Sequence, residues 1–254
     1  MDEDKVELEE ELEQQGEIAD IDVNDYEIIS GDFEIHSHVL IKYTGKDAVV
    51  VIPKGVKAIA SKAFSLCGEI KSVDIPDGVK VIGAYAFELC RSLIKVTIPQ
   101  SVTHIGDGAF RWCGSLREVN IPDGVTYIKE FTFDNCWRLE SVSIPKGVTG
   151  IGFMAFNGCS GLTEIDIPEG VKDISACAFK KCKHLKSVII PESVEKMGGK
   201  VFEDDMHITI NCCEQSKPNG WTKVWNVRET LLDRDSGVPA KYRMHSVNWG
   251  YHKD

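Results

Sequence analysis

Six cysteines, Cys67, Cys90, Cys113, Cys136, Cys159 and Cys182, recur every 23 residues and are the side chains of this chain best equipped for chemistry. Thiols can hold a metal, pair as disulfides or act as redox groups. A metal site needs converging ligands, usually as Cys-x-x-Cys pairs, whereas one thiol per period makes a column. Periods stacked at one strand spacing, roughly 5 Å, bring neighbouring thiols within disulfide range, but side-by-side stacking gives no reason for pairing. The column reads as small buried hydrophobes. Cys177, Cys212 and Cys213 lie off it, and the last two are expected to be partly exposed.

Other reactive constellations are missing from the sequence. There is no phosphate-binding Gly-x-x-x-x-Gly-Lys-Ser/Thr, no His-Glu-x-x-His and no Gly-x-Ser-x-Gly, and Gly106-Asp107-Gly108 does not continue as a dinucleotide loop. Asp233-Arg234-Asp235-Ser236-Gly237 has the start of a calcium loop, but Met244 stands where the twelfth-position Glu is required. These readings predict no enzyme, no metal and no cofactor.

The elements that position the cysteines follow from the same period. Pro53, Pro76, Pro99, Pro122, Pro145, Pro168 and Pro191 keep the 23-residue spacing, as do Phe64, Phe87, Phe110, Phe133, Phe156, Phe179 and Phe202. A period of that length marks a solenoid, whose units bury their apolar faces by stacking on one another. In residues 70–92, Ile70, Val73 and Ile75 point inward from a short strand, Pro76 ends it, and Gly78 allows a turn. Val79 and Ile82 restart the inward pattern, Ala86-Phe87 sets a small and a large side chain inside, and Cys90 and Leu93 lead back to the next strand. Phe33–Tyr43 and Val49–Ile52 flank the turn Thr44-Gly45-Lys46-Asp47 and read as a hairpin over the first open edge.

The motif Ile-Pro-x-Gly/Ser-Val-x-x-Ile-x-x-x-Ala-Phe-x-x-Cys-x-x-Leu-x-x-Val resembles the BspA-like leucine-rich repeat family, over Asp32 to Tyr251. Phe33–Thr44 is similar to the family's N-terminal cap, and Ile208-Thr209-Ile210, Lys217–Trp221, Trp225-Asn226 and Asn248–Tyr251 to its C-terminal cap. The seventh repeat departs from the pattern with Met197, Val201 and Asp205, Ser37-His38 replaces a usual glycine turn, and residues 227–246 read as an added loop. The expected architecture is a leucine-rich repeat solenoid. A parallel β-sheet forms one face, short turns, 3-10 or helical segments form the other, and a β-hairpin cap and an irregular β cap close the ends. The expected domains are an acidic disordered or frayed helical tail over 1–31 and one repeat domain over 32–254, with caps at 32–52 and 211–254 and seven repeats at 53–210. The resemblance implies a protein-interaction scaffold, often on bacterial surfaces, with no shared enzymatic activity.

Charge is unevenly distributed. The net charge is -11. Residues 1–27 hold 13 acidic side chains against Lys5, leaving the remainder nearly neutral. No basic stripe suited to nucleic acid results, and no apolar run is long enough to cross a bilayer. Met1-Asp2-Glu3-Asp4 is unlike a secretory leader, so the chain as written is expected to be cytoplasmic and is expected to be monomeric; a secreted or surface location follows if it is a fragment.

Two variable surfaces are candidate protein-binding sites. Outward strand positions Ser72, Asp74, Lys95, Thr97, Glu118, Asn120, Ser141, Ser143, Glu164 and Asp166 form a polar face, continued by Ser187 and Ile189. Leu66, Tyr85, Leu89, Trp112, Phe131, Trp137, Phe153 and Met154 form either an exposed convex patch or padding for the layers. The partner is a protein, or its role is that of a surface adhesin; a third reading makes the chain a regulatory fragment docking through its acidic tail.

Overall fold

The computed structural model describes residues 28–205, 207–213, 216–223, 227–232 and 239–251, and the side chains of these apart from 28–30, 227–232 and 239–244. Most of the tail expected over 1–31 lies outside the described residues, as do Trp225-Asn226 of the expected C-terminal cap and the Asp233–Gly237 segment. The described chain opens ahead of Asp32, because Ile28–Ser30 is already a strand, paired antiparallel with Phe33–His36. That strand in turn pairs antiparallel with Val39–Tyr43. Ser37 and His38, and not Thr44–Asp47 as expected, make the hairpin turn, at φ 45° and 64°, the mirror-image geometry that hairpins favour, because Val49–Val51 pairs in parallel with Ser72–Asp74 instead of folding back on Val39–Tyr43. His38 is held there by its Nδ1, which lies 3.0 Å from the Gly55 carbonyl.

Each turn of the solenoid then contributes two short strands, not one. Front strands at Val49–Val51, Ser72–Asp74, Lys95–Thr97, Glu118–Asn120, Ser141–Ser143, Ile165–Asp166, Ser187–Ile190 and Thr209–Cys212 lie parallel along one face. Back strands, each of two residues, run from Ala58–Ile59 to Lys196–Met197 and form a second parallel series that starts on Val39–Tyr43. The front series is the parallel face expected from the repeat, hydrogen-bonded in three segments, and the back series adds to it: Val79 and Ile82 restart the inward pattern because Val81–Ile82 is itself a strand. No helix occurs among the described residues, and the third side is built from turns.

The core is a column. Rings of Phe64, Phe87, Phe110, Phe133, Phe156, Phe179 and Phe202 stack face to face with centroids 4.8–5.7 Å apart, and Tyr43 of the cap stacks on Phe64 at 5.3 Å. All seven phenylalanines are fully buried. Beside them each thiol from Cys90 to Cys182 donates to the carbonyl of the phenylalanine 26 residues earlier, at 3.1–3.3 Å. Such a bond satisfies a carbonyl that the turn would otherwise leave short of donors. Cys67 differs from the rest of its column, being half-buried at the capped end.

The last layer breaks the pattern. Asp205 takes the thiol's place and is 1% exposed, with neither carboxylate oxygen hydrogen-bonded. Burial and the neighbouring Asp204 push its pKa up to about 9. Trp221 closes the back series by bridging to Met197 and donating its indole N–H to the Val194 carbonyl at 3.0 Å. On the front face Val247–Trp249 adds in parallel to Thr209–Cys212. The stretch 227–246, read as an added loop, contains an antiparallel hairpin of Val227–Leu232 with Pro239–Met244.

Candidate interaction surfaces

None of the nine cysteines is in a disulfide. Cys213 is half-exposed as expected, whereas Cys212 is buried, because its strand lies between Ser187–Ile190 and Val247–Trp249 and turns the thiol inward. Burial raises the pKa of the thiols at 90, 113, 136, 159 and 182 far above neutrality, and that of Cys212 to about 12. A thiol so protonated is a poor nucleophile and metal ligand. Among the described residues no three His, Cys, Asp or Glu side chains gather as a metal site, and no helix is long and apolar enough to cross a membrane.

The front strands present alternate side chains outward. Asp74, Lys95, Thr97, Glu118, Asn120, Ser141, Ser143, Glu164 and Asp166 are exposed and Ser72 is half-buried. The constant 23-residue offset, with parallel pairing of Ser72–Asp74 to Lys95–Thr97 and of Glu118–Asn120 to Ser141–Ser143, sets them in two columns, Ser72–Lys95–Glu118–Ser141 and Asp74–Thr97–Asn120–Ser143, with neighbours about one strand spacing apart. A shallow groove of about 420 Å³ lies over Lys95, Thr97, Glu118, Asn120, Ser141 and Ser143. A second, of about 490 Å³, continues it over Glu164 and Asp166. Four carboxylates against Lys95 make this surface acidic. Sequence reasoning missed its capped end, where Val49 and Val51 are 67% and 63% exposed at the foot of the same columns. Counting one period back from Ser72 and Asp74 would have found them.

The outer turns have a different construction. Two columns four residues apart, one through Lys62, Tyr85, Phe131 and Met154 and the other through Leu66, Leu89, Trp112 and Asn135, hold their backbones at φ 53–67°. Left-handed backbone costs a residue with a Cβ about 1–2 kcal/mol. The cost is offset by hydrogen bonds to the next turn, such as Tyr85 N–H to the Asp107 carbonyl at 2.7 Å and Leu89 N–H to the Arg111 carbonyl at 2.9 Å. This backbone turns the side chains outward. Leu66, Tyr85, Leu89, Trp112, Phe131 and Met154 of the convex group therefore sit on the surface, joined there by Trp137 and Phe153; most are half-buried, with Leu66 72% and Trp137 41% exposed. Trp112 meets Trp137 edge-on at 6.1 Å and Phe131 meets Phe153 at 5.3 Å. A small neighbour seats the larger ring, since a Cβ on Gly114 would run into the Trp137 indole.

Between the two columns runs a polar ladder that sequence reasoning did not find. Arg111 donates to Asp134 at 3.0 Å and to Glu88 at 3.3 Å, and its guanidinium lies 5.5 Å from the Phe131 ring. Buried Asp134 also accepts from Asn135 at 2.9 Å and Asn157 at 2.7 Å. Further along, Lys180 pairs with Glu203. The signal of this ladder in the sequence is the column Glu88, Arg111, Asp134, Asn157, Lys180, Glu203, whose complementary charges show only when read down the period.

A stack of paired short strands, a phenylalanine spine and exposed strand columns define a leucine-rich repeat solenoid. The chain matches the BspA type leucine rich repeat region in six copies, over residues 42–160 and 81–209, and belongs to that family. Its structure is similar to that of a leucine-rich repeat protein from Bacteroides ovatus, at 26% identity and a TM-score of 0.63, over 84% of this chain and 60% of that one. A leucine-rich repeat protein from Eubacterium ventriosum shares the fold at 23% identity and a TM-score of 0.67, over 79% of this chain and 53% of that one. The chain thus spans little more than half the length of these two proteins. A leucine rich repeat protein from T. pallidum matches at 26% identity and a TM-score of 0.50, over 78% of this chain and 85% of that one. No curated protein matches.

Proposed function

We propose that the chain is a non-catalytic protein-interaction scaffold that recognises its partner with the front face. The observation that carries this reading is the pair of exposed side-chain columns on parallel front strands, hydrogen-bonded in three successive segments over a fully buried spine. Fixed spacing lets adjacent side chains contact an extended partner segment without ordering cost on the scaffold's side. The carboxylates of Asp74, Glu118, Glu164 and Asp166 favour a partner surface bearing Lys or Arg. Buried thiols held far above their usual pKa argue against thiol chemistry.

The outer turns support a second surface, because Leu66 and Trp137 keep 72% and 41% of their area in solvent. The two are separated by affinity capture with the full chain, run in parallel against the producing cell's own extract and against external surface and matrix proteins. A partner retained by the native chain and lost by Asn120→Arg/Ser143→Arg, with melting unchanged, supports the front face. Loss with Trp112→Lys/Trp137→Lys instead moves recognition to the outer turns, and retention by both variants sinks both assignments. The pool that yields the partner also separates an internal scaffold from a surface adhesin.

A further inference from the structure

The apolar stripe of the outer turns starts near the capped end, with Leu66, Leu89 and Trp112 in successive turns and Trp137 beside them. Arg91 and Arg138 stand exposed beside Leu89 and Trp137 in the chain, and Lys181 and Lys183 stand exposed two turns beyond Trp137, in the columns that pass through Leu66 and Trp137. None of these four is in an ion pair among the described residues, whereas Glu88 and Asp134 are taken by Arg111 and Glu140 by Arg117. An exposed apolar stripe bordered by unneutralised cations suits an acidic segment with scattered apolar side chains.

The chain carries such a segment. Residues 1–27 combine 13 acidic side chains with Val6, Leu8, Leu12, Ile18, Ile21 and Val23. They join the solenoid at Ile28, in the cap at the end of the stack where the stripe begins. A peptide of that length with coil statistics has a root-mean-square span of about 30 Å, and Trp137 lies about three strand spacings, roughly 15 Å, along the stack from the turn of Leu66. The covalent link sets a local concentration in the millimolar range, so a contact too weak for a free peptide is populated within the chain.

We propose that residues 1–27 lie along the Leu66–Trp137 stripe with their carboxylates on Arg91, Arg138, Lys181 and Lys183, covering this surface within the same molecule. A partner reaching the stripe then displaces the chain's own acidic segment.

The test uses the full chain, as an equal mixture of 14N- and 15N-labelled protein, treated in dilute solution with a zero-length carbodiimide and mapped by mass spectrometry. The expected products join carboxylates of residues 2–27 to Lys181 or Lys183, each within one isotope label. Their yield falls at least about fivefold in about 0.5 M salt, where exposed charges are screened. It falls similarly in Arg91→Glu/Arg138→Glu and in Glu9→Gln/Glu10→Gln/Glu11→Gln/Glu13→Gln, the second of which leaves the solenoid untouched. Products that avoid these two lysines, that resist salt and both variants, or that carry mixed labels overturn the proposal; mixed labels assign the stripe to the segment of a second copy.

Discussion

Asp205 makes the stability of the last turn depend on pH. It occupies a position where five other turns place a thiol that donates to a phenylalanine carbonyl, and the equivalent acceptor here is that of Phe179. A carboxylate cannot donate, so the buried group keeps its proton: its pKa rises from 3.8 to about 9 through burial and the nearby Asp204 charge. The unfolded chain releases that proton above about pH 4. The folded state therefore holds one proton more than the unfolded state through the window from about pH 4 to about pH 9, and stability falls as pH rises across it. Each pH unit inside the window is worth about 1.4 kcal/mol, so the contribution lost between about pH 4 and pH 7 is up to about 4 kcal/mol. Asp205→Cys restores the thiol donor and removes the titration. We expect the variant to be about 2–4 kcal/mol more stable at about pH 7, with the gap narrowing towards about pH 5 and widening at about pH 8.5. Urea melts followed by tryptophan fluorescence report the region, since Trp221 packs on the same end of the stack through Val194. Groups common to both proteins cancel in the difference. Parallel pH profiles for the two, with no change in the gap between about pH 5 and about pH 8.5, would refute the assigned burial and protonation of Asp205.

Three further outcomes follow from the packing. Phe110→Ala removes a fully buried ring stacked on both sides and should cost about 3–5 kcal/mol in denaturant melts, with the loss spreading to adjacent turns; less than about 1 kcal/mol would contradict the spine. Asp134→Ala leaves Arg111, Asn135 and Asn157 without their shared acceptor and should cost about 2–4 kcal/mol, while Asn135→Ser, at the rim of the ladder, should cost well under half of that. Alkylation of the native chain near pH 8 should modify Cys67 and Cys213, the two half-exposed thiols, well before Cys90, Cys113, Cys136, Cys159 or Cys182, which should react only on unfolding.

The 23-residue registers of proline, phenylalanine and cysteine made the solenoid readable, because a residue buried identically in every turn is under the same constraint each time. The second strand series was hidden by its length: Val81–Ile82 and its equivalents are too short for an alternating pattern to show. The outer turns were hidden for a different reason. Left-handed backbone usually announces itself through glycine, yet in the two columns glycine appears at Gly108 and Gly158, while leucine, tyrosine, tryptophan and phenylalanine fill other positions under the hold of cross-turn hydrogen bonds. That is also why the sequence left the convex group open between patch and padding. The Glu88–Arg111–Asp134 ladder is invisible within any single repeat, since each member pairs with the next period and not with its neighbour in the chain.

The central claim, recognition through the front face, is tested most directly by an arginine scan of affinity for the captured partner. Single arginine substitutions are placed at Thr97, Asn120, Ser141 and Ser143 on the front strands and at Leu66, Leu89 and Trp137 on the outer turns, and each Kd is measured by calorimetry at one salt concentration. The account predicts losses of at least about tenfold, or about 1.4 kcal/mol, confined to a contiguous set of front positions. Losses confined to the outer turns, or none above about threefold at any front position, would contradict it.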